Sequence, residues 1–193
     1  EADQFSIETI LTLNRVGTVT STRTLEATPI VITLNSDVST SAQARYYSES
    51  GTAIGSGPIP PEVGSTTSYR VYWNLSNSLH TIENVRMSAT LPQDVVWLEN
   101  TDTDIGTVSY NSTTRQITWT IPKLLSELGH AGAWFEIAVS PDSGDVGRFM
   151  KLTSTTSFEA KDSSTSESLS DSLTELTTEL PDDEFARGKG VVV

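Results

Sequence analysis

The stretch Tyr69-Arg70-Val71-Tyr72-Trp73-Asn74-Leu75 determines the class of fold. Every second residue in it is large and apolar, so that four side chains share one side of an extended chain: Tyr69, Val71, Trp73 and Leu75. An alternation with a period of two is typical of a β-strand that buries one face and exposes the other to water. The stretch therefore predicts a strand in a sheet with one buried face.

The same alternation continues on both sides of this stretch. Residues 82–91 repeat it, and Pro92 then ends the strand because proline cannot donate a ladder hydrogen bond. Further short strands are predicted at residues 95–98, 108–110, 116–121, 134–139, 149–160 and 169–180. The connections are rich in turn residues, and the only helical turn is predicted at residues 124–129. Seven or more short strands separated by turns predict an all-β, immunoglobulin-like antiparallel β-sandwich.

The N-terminal segment predicts a separate β-hairpin. Residues 5–13 and 24–34 alternate in the same way around the turn Arg15-Val16-Gly17-Thr18. Pro29 lies inside the second strand, which predicts a sheet edge or a change of sheet there. The Gly/Pro-rich run Gly55–Gly64 cannot continue a ladder and predicts an extended crossover. We therefore expect three parts: an N-terminal hairpin arm with crossover (1–57), a sandwich (58–180), and a C-terminal linker or strand (181–193).

Composition limits the classes of function. The chain has 193 residues, 12 basic and 25 acidic, with a net charge of −13. Its basic residues are scattered, whereas a nucleic-acid binder clusters Lys and Arg to neutralise phosphates. We therefore expect no nucleic-acid partner. The longest apolar run is shorter than the roughly 18 residues that a membrane span needs, so no membrane insertion is expected in this segment.

Other features of the composition favour an exported protein. The chain has no cysteine, which removes disulfides and thiol chemistry. Serine and threonine together number 54 residues, which suits water-facing strands and turns. Because the sequence begins at Glu1 without a starter methionine, we expect a processed product or a segment of a longer chain. The expected location is extracellular, at a cell surface.

Four motifs in a fixed order carry a family resemblance. They are Tyr-x-Val-x-Trp-x-Leu-x-Asn (69–77), Val-x-Met-x-Ala-x-Leu-Pro-x-Asp-Val (85–95), Gly-x-Val-x-Tyr (106–110) and Ile-x-Trp-x-Ile-Pro-x-Leu (117–124). In this order they resemble the conserved-repeat immunoglobulin-like domains of bacterial and archaeal surface proteins, over about residues 58–180. The resemblance implies an extracellular module with a stalk, adhesive or cell-wall role. It implies no catalytic residues.

A staggered repeat is a further hypothesis. Leu34-Asn35-Ser36-Asp37 and Leu180-Pro181-Asp182-Asp183 each follow a strand, a turn and a second strand. Either the two segments are equivalent parts of successive modules, or two hairpins followed by Asp-containing loops look alike by chance. If the repeat is real, both chain ends carry strands without a full set of partners, and such strands recruit others. The predicted contacts to neighbouring copies or tandem modules are Phe5, Ile7, Leu11, Leu13, Val191, Val192 and Val193.

Candidate catalytic groups are sparse. The only histidines, His80 and His130, lie in predicted loops and are interpreted as solvated. Paired acids such as Asp142 and Asp145 lie in turns, where aspartate caps its own backbone. No nucleophile elbow, phosphate loop or His-x-x-x-His spacing occurs. We therefore predict that the chain is not an enzyme and needs no cofactor.

Calcium is the one ion that the pattern suggests. Loop carboxylates and carbonyls are its ligands. The best candidate ligands are Asp182, Asp183 and Glu184, which follow the last predicted strand and would stiffen a junction between modules.

Exposed aromatic residues suggest an alternative function. The four tryptophans, Trp73, Trp97, Trp119 and Trp134, lie within apolar alternation and predict core packing. Tyr46, Tyr47 and Tyr72 are the better candidates for exposed rings that bind a glycan. The first hypothesis is thus a structural or adhesive module of a surface array or filament, and the alternative is a non-catalytic glycan- or protein-binding module.

Overall fold

The computed structural model describes residues 3–193. The chain divides into two compact units, one that ends at Asn35 and one that comprises Ser36–Val193. Strands dominate both units, and the described residues contain no helix long and apolar enough to cross a membrane.

The first unit is one long β-hairpin, which we call the arm (residues 3–35). Its four strands are β1 (Gln4–Ile7), β2 (Ile10–Val16), β3 (Val19–Glu26) and β4 (Ile30–Thr33). β1 pairs with β4 and β2 pairs with β3, both antiparallel. Gly17 turns the chain at the tip with a φ of 62°, a conformation that glycine adopts without strain. The ladder is interrupted before Ile30, where the sequence has Pro29, as predicted.

The second unit is the predicted antiparallel sandwich. One sheet has the strand order β13-β12-β7-β10-β9 and the other has the order β5-β6-β11-β8. The strands are β5 (Val38–Arg45), β6 (Thr67–Asn77), β7 (Ile82–Thr90), β8 (Val95–Thr103), β9 (Thr107–Asn111), β10 (Gln116–Leu124), β11 (His130–Val139), β12 (Thr156–Asp162) and β13 (Ser168–Leu173). The predicted helical turn is a single 3-10 turn at Ser126–Leu128 that ends at Gly129.

The core lies between the two sheets. The alternation in β6 is borne out, because Tyr69, Val71, Trp73 and Leu75 are all buried while Tyr72 and Asn74 face outward. Trp73 packs edge-on against Phe135 of β11, with ring centroids 5.0 Å apart. The facing sheet contributes large side chains of its own: Met87, Trp119 and Phe158. A period of two in the sequence thus becomes one continuous apolar layer.

The unit boundary differs from the predicted one at residues 57 and 58. β5 pairs with β6 along its whole length, from Val38 with Asn77 to Arg45 with Arg70, so residues 36–57 belong to the sandwich unit. β5 is short of large apolar residues, and for that reason its membership could not be recognised from alternation.

The tail is also part of the sandwich unit. Leu180, Ala186 and Val192 are fully buried, so residues 181–193 are not a linker within this structure. The tail crosses the sheet ends through main-chain hydrogen bonds, from Val192 N to Arg148 O and from Val193 N to Pro61 O. The prediction of a linker or strand followed from the staggered-repeat hypothesis, in which this segment begins the next module.

Candidate assembly site

The base of the arm carries an apolar face. In the β1–β4 ladder Phe5 lies opposite Ile32, and Ile7 lies opposite Ile30, so the four side chains share one side of the ribbon. All four are between 46% and 61% exposed. We call this set the basal face. Val31 lies on the other side of the same ribbon, opposite Ser6.

The upper part of the arm is amphipathic in the same way. Leu11 lies opposite Leu25 and Leu13 lies opposite Arg23 on one side of the β2–β3 ribbon. The reverse side carries threonines, such as the pair Thr12 and Thr24. A two-stranded ribbon has no second layer on either side, so its apolar side chains stay half exposed. An isolated hairpin of this kind is marginally stable in water.

Exposed apolar surface is concentrated in the arm. Among the side chains that the structure describes, nineteen large hydrophobic ones are exposed, and ten of these lie between Phe5 and Leu34. Contiguous apolar surface on a protein indicates a site for another protein or a ligand. Four of the predicted contact residues, Phe5, Ile7, Leu11 and Leu13, are thus in this region.

The three C-terminal valines behave differently from the arm residues. Val192 is buried in the core, Val191 is half-buried in a bridge with Phe149, and only Val193 is largely exposed. Their main chain is used inside the sandwich unit. The structure therefore does not leave these valines available as a set, although their role in contacts between modules stays a prediction.

The three predicted calcium ligands differ in exposure and in hydrogen bonding. Asp183 is fully buried, and its carboxylate accepts four main-chain N–H groups, from Tyr46, Tyr47, Phe185 and Ala186. Its neighbours Asp182 and Glu184 are exposed. Among residues 3–193 no group of three or more acidic or histidine side chains is placed to hold a metal.

The geometry assigns Asp183 a structural role, because it ties the tail to the end of β5. Calcium at Asp182–Glu184 stays a prediction. A melting temperature that a chelator leaves unchanged would contradict it.

His80 is not solvated, contrary to the prediction. It is 8% exposed, and its Nδ1 lies 3.0 Å from Oδ2 of the buried Asp162. The same carboxylate oxygen accepts the main-chain N–H of Ser36 at 2.7 Å. Ser36, His80 and Asp162 do not form a nucleophilic triad, because the Ser36 hydroxyl contacts the main chain of His80 and not its ring. The cluster anchors the start of the sandwich unit.

His130 is exposed, as predicted, although it begins β11 rather than lying in a loop. Two of the four tryptophans, Trp73 and Trp119, are core residues as predicted. Trp97 and Trp134 are only half-buried.

Trp97 lines a groove at one margin of the sandwich. β8 and β9 are the last strands of their sheets, and both lie at this margin. Between them is a cavity of about 580 Å³, whose lining mixes apolar side chains such as Trp97 and Tyr110 with polar and charged ones such as Glu99, Ser112 and Arg115. The rings of Trp97 and Tyr110 stack across it, 5.4 Å apart. Sequence reasoning missed this site because it depends on which strands end up at the edges.

The outer face of the four-stranded sheet carries the other aromatic group. Tyr72 and Trp134 are direct neighbours across β6 and β11, and the guanidinium of Arg70 lies 3.9 Å from the Trp134 ring centroid. Tyr72 is thus outward-facing, as predicted. Tyr46 is buried, contrary to the prediction, and its hydroxyl donates to Gly57 O. Tyr47 is half-buried.

No family model and no curated protein sequence matches the chain. Several solved structures are similar to parts of it. The major pilin SpaD from Corynebacterium diphtheriae is 11% identical, with a TM-score of 0.48 over 80% of this chain and 44% of that one. The major pilin subunit BcpA of Bacillus cereus is 10% identical, with a TM-score of 0.48 over 82% and 50%.

Three N-terminal domains of the type V pili tip protein Mfa5 from Porphyromonas gingivalis are 14% identical, with a TM-score of 0.41 over 53% and 22%. The chain thus matches between 22% and 50% of the length of these three structures.

Proposed function

We propose that this chain is a non-catalytic structural module of an extracellular array or filament, and that it assembles through its arm. The observation that carries the proposal is the basal face of the arm, with its four half-exposed residues Phe5, Ile7, Ile30 and Ile32. We infer this role from the location of the exposed apolar surface. It lies on a two-stranded ribbon in which the apolar side chains are paired across the two strands.

The physical argument for this proposal is that the arm buries little apolar area of its own. A ribbon of two strands buries little apolar area, so burial contributes little to offset the entropy lost on ordering about 30 residues. A second surface that covered the basal face would supply that burial, at roughly 1.5–3 kcal/mol for each large side chain fully covered. We therefore propose that the arm presents one of the two surfaces of an interface.

Composition supports an extracellular location for such a module. The chain has no cysteine, is rich in serine and threonine, and has a net charge of −13, which favours solubility. The partners we propose are neighbouring copies or tandem modules of the same protein.

Self-association measured by sedimentation velocity tests this proposal. We expect the full chain to associate as its concentration rises towards about 1 mM. Ile7→Glu places a charge on the basal face and should weaken association by about 30-fold or more. Val31→Glu is the matched control, since Val31 is 59% exposed and Ile7 is 51% exposed on the same ribbon. A chain that stays monomeric, or a control that acts like Ile7→Glu, would contradict the proposal.

A second candidate function is saccharide binding on the outer face of the four-stranded sheet. Tyr72 and Asn74 lie between two shallow cavities, of about 200 and 560 Å³, and Trp134, Asp102 and Asp104 line the smaller one. Aromatic rings beside amide and carboxylate groups suit the alternating apolar and hydroxyl surfaces of a sugar. Binding on a glycan array that Tyr72→Ala abolishes would support this function. Binding unaffected by that substitution would count against it.

A further inference from the structure

We infer that the arm docks into the sandwich of a second copy, in the position that β12 and β13 occupy in their own sandwich. We call residues 149–180 the last hairpin, since they contain these two strands. The arm of one copy would replace the last hairpin of the next. This inference rests on the function proposed above and names the surface that receives the arm.

The arm and the last hairpin share one arrangement of ladders. Each has a short outer ladder and a longer inner ladder, with an interruption between them. In the arm the outer ladder joins β1 to β4, and the inner one joins β2 to β3. In the last hairpin the outer ladder is centred on the bridge between Lys151 and Thr177, and the inner one joins β12 to β13. The two hairpins are therefore comparable position by position.

The apolar positions of the arm match buried positions of the last hairpin. On the first strand of each hairpin, four residues on one side follow the same spacing of i, i+2, i+6 and i+8. In the arm these residues are Phe5, Ile7, Leu11 and Leu13. In the last hairpin they are Met150, Leu152, Thr156 and Phe158, all of which are buried. The row that the arm leaves partly exposed is thus the row that a sandwich buries.

The second strands agree as well. In the arm the residues opposite this row are Ile32, Ile30, Leu25 and Arg23. In the last hairpin they are Thr178, Leu176, Leu173 and Asp171. The single charged residue therefore has the same place in both hairpins. Asp171 is exposed there and accepts a hydrogen bond from Thr40 of β5, so a charge is tolerated at this position.

The difference in polarity favours the exchange. Seven of the eight matched residues are apolar in the arm, whereas five of the eight are apolar in the last hairpin. Serine and threonine make up 15 of the 32 residues of the last hairpin. An exchange buries the more apolar hairpin and releases to water the one that water solvates better.

The charges of the two hairpins also permit the exchange. The last hairpin has six acidic and two basic residues, and its own sandwich accommodates it. Residues 3–34 of the arm have three acidic and two basic residues. The rest of the sandwich unit is itself acidic, with fifteen acidic and eight basic residues. Replacing the last hairpin by an arm therefore reduces the repulsion between like charges.

Two contacts of the last hairpin have no counterpart in the arm. Asp162 lies 3.0 Å from the ring of the buried His80, whereas the arm turns at Gly17. Thr153 is fully buried, and the equivalent position in the arm is Glu8. These contacts favour the chain's own hairpin in dilute protein. We therefore expect exchange at high protein concentration, or where the chain's own hairpin is weakened.

The exchange also predicts the form of the assembly. The donor is the arm and the acceptor is the sandwich, so the two surfaces of each contact differ. Contacts of this head-to-tail type propagate into an open chain or close into a ring. The proposed role in a filament requires this type of contact.

Weakening the last hairpin of the full chain tests the inference. Phe158→Ala loosens that hairpin and leaves the arm unchanged. Phe135→Ala is the matched control, because it makes the same chemical change at a fully buried residue of β11, outside the hairpin. In sedimentation velocity we expect Phe158→Ala to associate about 100-fold more tightly than the wild type. Phe135→Ala should give no such gain.

A second substitution identifies the arm as the donor. Adding Ile7→Glu to Phe158→Ala should abolish the gain in association, and adding Val31→Glu should preserve it, since Val31 lies on the other side of the ribbon. Equal association of Phe158→Ala and Phe135→Ala would overturn the inference.

Disulfide trapping tests the position without weakening the fold. The chain has no cysteine, so two introduced cysteines report on one contact. Ser157 of β12 pairs with Ser88 of β7, with their hydroxyl oxygens 3.0 Å apart. In the docked arm Thr12 takes the place of Ser157. A mixture of Thr12→Cys and Ser88→Cys chains should therefore form a mixed disulfide, since the Cα atoms of paired residues lie within the reach of a disulfide.

Thr24→Cys is the control for the trapping experiment. Thr24 lies opposite Thr12 on the second strand of the arm, one strand further from β7 in the docked position. Its mixture with Ser88→Cys should stay unlinked, because two strand spacings exceed the reach of a disulfide. No mixed disulfide with Thr12→Cys, or equal amounts with both arm variants, would overturn the docking position.

The failure of this inference is distinguishable from the failure of the proposed function. If Ile7→Glu weakens association of the wild type but Phe158→Ala behaves like Phe135→Ala and no mixed disulfide forms, the arm docks elsewhere. The inference then falls while the proposed function stands. If the wild type and Phe158→Ala both stay monomeric up to about 1 mM, both fall.

Discussion

The arm and the last hairpin of the sandwich follow the same pattern but are buried to very different extents. The last hairpin comprises β12 and β13 and is extended by a bridge between Lys151 and Thr177. Its apolar residues alternate as those of the arm do, and Leu152 and Phe158 are buried to 2% exposure or less. The corresponding residues of the arm, such as Phe5 and Ile7, are half exposed. Alternation of apolar residues thus determines which face of a hairpin is apolar. Whether that face is buried depends on a second layer that packs against it.

Three contacts that the last hairpin makes account for the difference. β12 pairs with β7, which joins it to a five-stranded sheet. Asp162 holds the turn of the hairpin, and the tail crosses its end through Gly190 and Thr178. Substitutions test these contacts one at a time, and those at Phe158 and Gly190 have a matched change in the arm.

The largest effect is expected from Phe158→Ala in β12. Phe158 is 2% exposed in the core, so its removal leaves a cavity and should lower the free energy of unfolding by about 3–5 kcal/mol. Phe5→Ala makes the same chemical change in the arm, where the ring is 55% exposed. In dilute protein its effect on sandwich unfolding should be about 0.5 kcal/mol or less. Urea unfolding at low concentration compares the two, and equal losses would show that the arm is already buried.

The next effect is expected from Gly190→Ala in the tail. A Cβ at Gly190 would overlap the main-chain oxygen of Thr178, which is rigid, so the tail has to move. We expect a loss of about 1–3 kcal/mol, as for other overpacked sites. Gly17→Ala is the matched change at the arm tip, where a Cβ meets nothing within 4 Å. It strains the turn alone, so sandwich unfolding should be unchanged in thermal melts. A loss with Gly17→Ala as large as that with Gly190→Ala would contradict this account.

A pH-dependent effect of similar size is expected from Asp162→Asn. Burial raises the pKa of Asp162, but hydrogen bonds from Thr165, His80, Ser36 and Ser164 outweigh it, so the pKa lies well below its ordinary value. The carboxylate therefore stabilises the fold fully above the unfolded pKa of about 3.9. That stability is lost as the pH falls below this value towards the folded pKa.

At pH 7 we expect Asp162→Asn to cost about 1–3 kcal/mol. The difference between wild type and variant should shrink by about 1.4 kcal/mol per pH unit below pH 3.9. Urea unfolding at pH 7 and pH 3 measures it. A difference that stays constant between these two pH values would exclude the charged carboxylate as the cause. The arm has no equivalent experiment, since its tip is a glycine turn.

The sequence predicted the elements that depend on local alternation. Tyr69–Leu75, the hairpin turn at 111–115, and the arm with its apolar residues all follow from a period of two and from turn residues. The face of each strand was predictable as well, for example Tyr72 outward and Trp73 inward.

The features that depend on long-range pairing were not predictable. β5, with Ser39, Ala42 and similar small residues, joins the sandwich by main-chain pairing with β6, which does not require large apolar residues in β5. His80 looked like a loop residue, since the partner that buries it, Asp162, is 82 positions away. The groove at Trp97 exists only because β8 and β9 end their sheets at the same margin. The residues next to Trp97 in the sequence do not indicate which strands lie at the sheet edges.

The smallest effect is expected where the last hairpin touches β5 at the surface. Thr40 donates to Asp171 in β13, and this hydrogen bond, followed by one from Ser172 N, lowers the pKa of Asp171. Thr40→Val should change the free energy of unfolding by about 0.5 kcal/mol or less, because the site is at the surface. Its clearer signature is the pKa of Asp171, which should rise towards its ordinary value in an NMR titration. Thr24→Val on the threonine face of the arm is the control and should leave that pKa unchanged. If Thr40→Val leaves it unchanged too, the hydrogen bond between Thr40 and Asp171 does not form in solution.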